Sequence, residues 1–391
     1  MTGVEIDSRR AGPGDLFVAL GGGVAFLDDA RAHGAAATLV PDDEFAAMAA
    51  LGRFVRDRSD ARVVAITGSS GKTSTKDILA ALLRPVTRMV AAEEGHNNEI
   101  GLPLTLMRLE PDTEVLVTEM GMRGLGQIAE LCAIARPDVG VITNIGPVHL
   151  ELLGTVERVA QAKAELLQTL APGGIGVIPE DAPELEPFVP DGLDVRRFAP
   201  PQVEVRDGWS HVRFGGREIP FSFVARHQAA NAVAALTVVD ALGLPLPDGP
   251  VEVAFSRWRC EESPLPGGGL LINDAYNANP ASTHAALEYL VERAGGRRSV
   301  AVLGEMAELG EGAPRFHEEV GEVARALGVD VVVGVGELGR RYDPDEWAPD
   351  AAAAIDVVRA TIVAGDAVLV KASRAVGLEV VAEALAGAVA R

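Results

Sequence analysis

Positive charge is scarce in this 391-residue chain: 35 lysines and arginines face 56 aspartates and glutamates, for a net charge of −21. A surface of that sign repels the phosphate backbones of DNA and RNA, so no nucleic-acid partner is expected. Small anions such as nucleotides stay allowed, because they need only a local cradle. Cysteine is nearly absent. Cys132 and Cys260 stand far apart and give neither a disulfide framework nor a cysteine metal site. Two buried free thiols in a reducing cytosol are expected. The opening MTGVEIDSRR has no apolar core of a secretory leader, and no run approaches the roughly 20 apolar residues of a membrane span. A soluble cytoplasmic protein follows as the expectation. Internal repeats and low-complexity tracts are also missing.

What is present is enough hydrophobic residue, 48%, to bury sizeable cores, over a length that suggests two or three domains. Residues 1–58 read as a small unit. PGDLFVAL (13–20) gives a turn and a strand, and FLDDARAHGAAATLV (26–40) a helix, a glycine stop and a second strand. RFVRDRSDAR (53–62) is charged and leads onward. Strands are expected at 63–67, 114–119, 139–143 and 174–178, and helices at 72–83, 125–135 and 155–170. Such alternation argues a parallel sheet covered by helices. Residues 195–224 read as a β-rich extension, and 227–242 return to helix. GLPLPDGP (243–250) has the composition of a linker and is the expected hinge. A second α/β unit follows, with strands at 270–273, 299–303, 330–335 and 367–371 and a last helix at 376–389. The expected boundaries are therefore 1–58, 59–245 and 246–391.

VVAITGSSGKTSTKDIL (63–79) carries the strongest chemistry. It is not a full Walker A sequence, because Ile66 stands where the first glycine belongs. Gly68, Ser69, Ser70, Gly71, Lys72, Thr73 and Ser74 form a shortened loop of the same physics. Glycines let backbone N–H groups approach phosphate oxygens, and a helix N-terminus adds positive potential. Lys72 supplies a point charge and Thr73 a hydroxyl for Mg²⁺. An ordinary glycine-rich turn is the plainer alternative; the strand before and the helix after favour phosphate.

EVLVTEMGMRG (114–124) ends a strand at Glu119, and VGVITNIGPVHLELLG (139–154) runs from a strand end to His149. Ligands of open α/β sheets bind at the carboxyl ends of strands, so Lys72, Thr73, Glu119 and His149 are expected to converge on Mg²⁺–ATP. Lys163 interrupts the apolar stripe Val156, Val159, Ala160, Leu166, Leu167 and Leu170. It either snorkels to water or has a lowered pKa and a usable amine.

With these residues the chain resembles the Mur ligases of bacterial cell-wall synthesis. The likeness runs from DSRRAGPGDLFVAL (7–20) through GHNNEIGLPLTL (95–106), TNIGPVHLELLGTVERVAQAKAELL (143–167), NDAYNANPAST (273–283) and AVLGEMAELG (301–310) to VLVKASRAVGLEVV (368–381). NNEIG and YNANP resemble the branch that adds D-alanyl-D-alanine to UDP-N-acetylmuramoyl-tripeptide. The resemblance implies three domains: a small N-terminal α/β nucleotide-sugar domain, a central P-loop-like ATPase domain with a mainly parallel sheet, and a C-terminal Rossmann-like domain for the incoming dipeptide. It implies an ATP-dependent amide ligase of peptidoglycan precursor synthesis working through an acyl phosphate, with two Mg²⁺ and as a monomer. Lys72, His149 and Lys163 become catalytic residues, with Lys163 carbamylated by CO₂. Thr73, Glu119, His149 and the carbamate would hold metal. His227, Asn231, Arg259 and Asp274 join the ATP site. Ser8, Arg9, Asn97, Asn98, Asn277 and Asn279 fall on the substrates.

Three departures from the family pattern stand out. GGGVAF (21–26) is short and lacks the usual Asp-Gly-His, Gln228 replaces an asparagine after His227, and Glu305 stands where aspartate is usual. Two alternatives stay open: a related ligase with another acceptor, and a non-catalytic nucleotide-binding protein.

Overall fold

The computed structural model describes residues 3–387. Its centre is a six-stranded, wholly parallel sheet. In spatial order the strands are Met89–Ala91, Val115–Glu119, Arg62–Thr67, Val139–Ile142, Ile175–Pro179 and Asp194–Phe198. Their near-continuous apolar runs reflect burial on both faces. One face is covered by helices Lys72–Leu83 and His227–Ala241, through Ile78, Leu79 and Leu82 against Ala232, Leu236 and Val239. The other carries Gln127–Ala135 and Val156–Gln168. Strand Arg62–Thr67 lies between Val115–Glu119 and Val139–Ile142, so the strand order reverses beside it. A crevice opens there at the carboxyl ends, the usual place for a ligand.

Residues 195–224 divide. Asp194–Phe198 completes the central sheet, and Val203–Arg206, Trp209–Phe214 and Arg217–Phe221 form a separate antiparallel sheet. The N-terminal unit is a parallel sheet of Val4–Glu5, Leu16–Val18 and Ala37–Leu39. Helix Glu44–Arg56 follows, taking in the first part of the charged stretch 53–62. Met48 of that helix shares a core with Val18 and with Leu104 of the central unit. The short segment 21–26 is a 3-10 turn that leaves Val24 and Phe26 exposed.

The last sheet runs Glu261–Leu265, Gly269–Asn273, Ala367–Lys371, Ser299–Leu303, Val331–Val335 and Glu346–Ala348, parallel except for its first strand. The final helix is Glu379–Ala386; its expected end at residue 389 lies outside the described residues. The stretch 243–250 is not a free linker. Leu244, Leu246, Val251, Val253 and Phe255 pack on the central core, and the Ser256 amide donates to Asp77 Oδ2 at 2.8 Å. Burying those apolar side chains fastens the segment to the central unit. Among the described residues, no helix is long and apolar enough to cross a membrane.

Candidate active site

The sequence puts a glycine wherever the loop after strand Arg62–Thr67 leaves no room for a side chain. Gly68 (φ 150°) and Gly71 (φ 77°) have backbone conformations that side chains resist. A Cβ on Gly68 would lie 1.8 Å from Thr143 Oγ1, and one on Gly71 2.3 Å from Asn231 Oδ1. The loop is held open from below. Asn144 Oδ1 accepts from the Ser70 amide at 2.8 Å, and the Thr143 hydroxyl donates to the Ser70 carbonyl at 2.6 Å. Gly71→Ala is expected to weaken ATP binding about tenfold or more, given that such strain costs on the order of 1–3 kcal/mol. Calorimetric titration of the variant with ATP checks it.

A cleft of about 430 Å³ sits over this loop. Ser69, Ser70, Gly71, Lys72, Thr73 and Ser74 form its floor, with Gly68 just beneath. Lys72 Nζ donates to the Gly68 carbonyl at 2.9 Å. Burial pushes the Lys72 ammonium down in pKa, against the pull of Glu119, and Arg259 pushes the same way as burial. The Thr73 hydroxyl donates to Glu119 Oε2 at 2.9 Å, and the Asn97 amide donates to Glu119 Oε1 at 3.0 Å. A threonine hydroxyl beside a glutamate offers the hard oxygen atoms that Mg²⁺ prefers.

The roof comes from the last unit. Arg259 lies between Trp258 (φ 57°) and Cys260 (φ 53°), a kinked stretch that turns its side chain inward. Its Nη2 donates to Thr73 Oγ1 at 3.1 Å, and its guanidinium lies 4.0 Å over the Tyr276 ring. Among the described residues, Arg259 Nε is buried without a hydrogen-bond partner. An orphaned cationic donor in a cleft walled by glycines and Lys72 fits a polyphosphate. Asp274, Asn277 and Asn279 line the same wall. Asn279 caps helix Pro280–Ala294 through a reciprocal bond with Ser282, and its amide approaches the Ser69 carbonyl at 3.4 Å. YNANP thus both starts a helix and lines the cleft.

His227 and Asn231 stand on one helix beside the loop. Burial takes the His227 imidazole down to about 4, with Asp274 opposing and Lys371 adding to the fall, so the ring is neutral at pH 7. The substitution at Gln228 is accommodated: its Oε1 accepts from Asn231 Nδ2 at 2.8 Å and keeps Asn231 in place. Glu305 turns from the cleft and accepts from the Leu338 amide at 3.1 Å.

Other expected site residues are apart from the cleft. Lys163 is only 1% exposed and does not snorkel. Burial drives its amine well below the usual lysine pKa, and the nearby Lys72 charge adds to this. Among the described residues Lys163 has no ion-pair partner. His149, expected to join Glu119 on one metal, stands at the N-cap position of the short helix Leu150–Leu153 and contacts Glu308. No group of three or more His, Cys, Asp or Glu side chains gathers for a metal among the described residues. Asn98 is spent on the amides of Ile100 and Gly101. Ser8 is buried, and Arg9 is exposed and paired with Asp7 at 2.6 Å.

Two residues escape the sequence reading. Lys371 Nζ lies 2.5 Å from Asp274 Oδ2 and 2.9 Å from the Asn277 carbonyl. Cys260 Sγ lies 3.6 Å from His227 Nε2. The signal for Lys371 was its rarity: Lys72, Lys76, Lys163 and Lys371 are the only lysines in the chain. Two of them line the cleft, and Lys163 sits near enough to Lys72 to feel its charge. Half of the lysines of a strongly acidic protein thus line this one cleft.

Comparison with known proteins agrees with this geometry. Residues 66–239 match the Mur ligase middle domain, and residues 258–374 match the Mur ligase, glutamate ligase domain. The UDP-N-acetylmuramoyl-tripeptide--D-alanyl-D-alanine ligase of Mycobacterium leprae is 34% identical over 98% of this chain and 92% of its own length. The crystal structure of MurF from Acinetobacter baumannii superposes with a TM-score of 0.86 at 25% identity, over 98% of this chain and 93% of that one. The MurF ligase of Thermotoga maritima, solved in complex with ADP, gives 0.83 at 29% identity, over 98% and 97%. The chain belongs to the Mur ligases, in the branch of the UDP-N-acetylmuramoyl-tripeptide--D-alanyl-D-alanine ligases.

Proposed function

We propose that this protein joins D-alanyl-D-alanine to UDP-N-acetylmuramoyl-tripeptide at the expense of ATP, in the cytoplasm and as a monomer. One observation carries the reading: the Thr73 hydroxyl bridges Glu119 (2.9 Å) and Arg259 (3.1 Å), joining the phosphate loop, a metal-type carboxylate and the roof arginine in one chain of bonds. The peptide carboxylate attacks the γ-phosphorus in line and ADP leaves. Lys72 and Arg259 bear the charge that spreads over the phosphoryl oxygens. The dipeptide amine then attacks the acyl-phosphate carbonyl, and phosphate departs with one former carboxylate oxygen. Asn97, Asn277 and Asn279 orient the two peptides. Ser8, Arg9 and Asn98 serve the nucleotide-sugar end, on the first unit (residues 1–58) and its border with the centre.

Thr73 and Glu119 would hold one Mg²⁺, and His149 and a modified Lys163 a second, and these ions would supply charge neutralisation of the phosphates. A lysine amine kept neutral by burial is the form that adds CO₂, giving a carbamate and releasing one proton. Conversion of that neutral amine into an anion beside the Lys72 charge gives a reason for a lysine at this buried position. Roof and floor close on each other, which keeps water from the acyl phosphate.

The route is tested with tripeptide whose terminal carboxylate carries ¹⁸O. One ¹⁸O per released phosphate is expected; phosphate free of label contradicts an acyl phosphate.

A further inference from the structure

Two non-glycine residues with left-handed backbone meet across the central and last units. His149 has φ 54° and Glu308 φ 63°. His149 Nδ1 lies 2.5 Å from Glu308 Oε2. Arg123 Nε lies 3.2 Å from Glu308 Oε1, so the central unit engages both carboxylate oxygens. The backbones also close up. The Glu151 amide donates to the Glu308 carbonyl at 3.3 Å, and a Cβ on Gly310 would lie 3.1 Å from Glu151 Cα. Surface adhesion alone needs no such conformations, and strained residues persist where the surroundings over-determine them.

An imidazole that donates from Nδ1 to a carboxylate leaves Nε2 with its lone pair free. That is the arrangement in which a histidine ligates a cation, with the carboxylate fixing ring and tautomer. We propose that Glu308 is a positioning residue for His149, and that only the closed arrangement of the two units presents His149 in its ligating form. The proposal rests on the reading of His149 as a metal ligand. Because Glu308 is carried by the last unit, cation binding and closure favour each other, as linkage requires. An open enzyme holds the ion more weakly.

The test is Mn²⁺ binding to the full chain in the presence of ADP, read from the electron paramagnetic resonance of free Mn²⁺. Thermal melting of each variant monitors the fold. Glu308→Ala is expected to weaken Mn²⁺ binding about 10- to 100-fold. Glu308→Gln, whose side-chain oxygen still accepts from Nδ1–H, restores most of that loss and keeps the test open if the alanine variant melts early. Glu292→Gln removes the Arg226–Glu292 pair (3.1 Å) between the same two units, remote from His149, and leaves affinity unchanged. Wild-type affinity in Glu308→Ala, with His149→Ala weakened, overturns the positioning role. So does a loss in Glu292→Gln equal to that in Glu308→Ala, which would reduce the effect to adhesion. Wild-type affinity in His149→Ala instead overturns the metal-ligand reading, and the proposal with it.

Discussion

Lys163→Met should fold as well as the wild type or better and lose about 10²–10³-fold in turnover, the usual cost of removing a transition-state charge stabiliser. The two halves of that result have one origin. Lys163 is 1% exposed and has no carboxylate partner among the described residues, so its charged form is penalised in the folded chain. Methionine of similar length fills the same apolar space without the penalty. The sign of the pH effect follows. Between the depressed folded value and 10.5, the unfolded chain holds a proton on Lys163 that the folded chain does not. Wild-type stability therefore rises with pH across that window, by up to about 1.4 kcal/mol per pH unit, and falls as pH drops toward the folded value. Urea unfolding in CO₂-free buffer at several pH values should show this slope in the wild type and its loss in Lys163→Met. ATP affinity should change little, since Lys163 does not line the cleft. A carbamate carbon signal after incubation with ¹³C-bicarbonate is expected in the wild type and not in the variant. Full turnover in Lys163→Met would remove this residue from the chemistry.

Lys371→Met should cost about 3–5 kcal/mol of stability, because it strands one charge of a buried pair. The Lys371 side chain is 2% exposed and that of Asp274 12%. The pair also anchors the roof. Lys371 holds the Asn277 carbonyl, and Asp274 Oδ1 accepts from the Cys260 amide at 3.2 Å, next to Arg259. Losing Lys371 therefore loosens the wall that carries the arginine, and KM for ATP should rise. Adding Asp274→Asn keeps an acceptor for Cys260 and removes the stranded charge. The double variant should regain most of the lost stability in urea unfolding followed by tryptophan fluorescence. No recovery would mean that packing, not charge, holds this corner together.

The phosphate loop was legible because its physics is local: glycines, a lysine and a hydroxyl within seven residues, after a buried strand and before a helix. Lys163 was legible because helical periodicity exposes a misplaced charge. The four inner strands of each large sheet could be read from their apolar runs, whereas the edge strands Met89–Ala91, Asp194–Phe198, Glu261–Leu265 and Glu346–Ala348 were not placed in them. Non-local features were not. His149 and Glu308 are brought together only when the last unit folds back on the centre, and nothing near either residue announces the contact. Lys371 ends a strand, where a lysine ordinarily reaches water, so its buried pairing is invisible without Asp274 beside it. Helix Glu44–Arg56 was hidden by Phe45 and Phe54, which stay exposed and break the amphipathic pattern. Composition suggested a free linker at 243–250 because Pro and Gly report turn-forming ability, whereas Leu244, Leu246 and their neighbours decide what the segment packs on.

The most direct measurement is phosphate release from ATP and Mg²⁺ with UDP-N-acetylmuramoyl-tripeptide, in the presence and absence of D-alanyl-D-alanine. Release that requires both peptides, with a UDP-N-acetylmuramoyl-pentapeptide product by mass spectrometry, is the expected result. ATP bound in the cleft with no release from either mixture would contradict it and leave a nucleotide-binding protein without ligase activity.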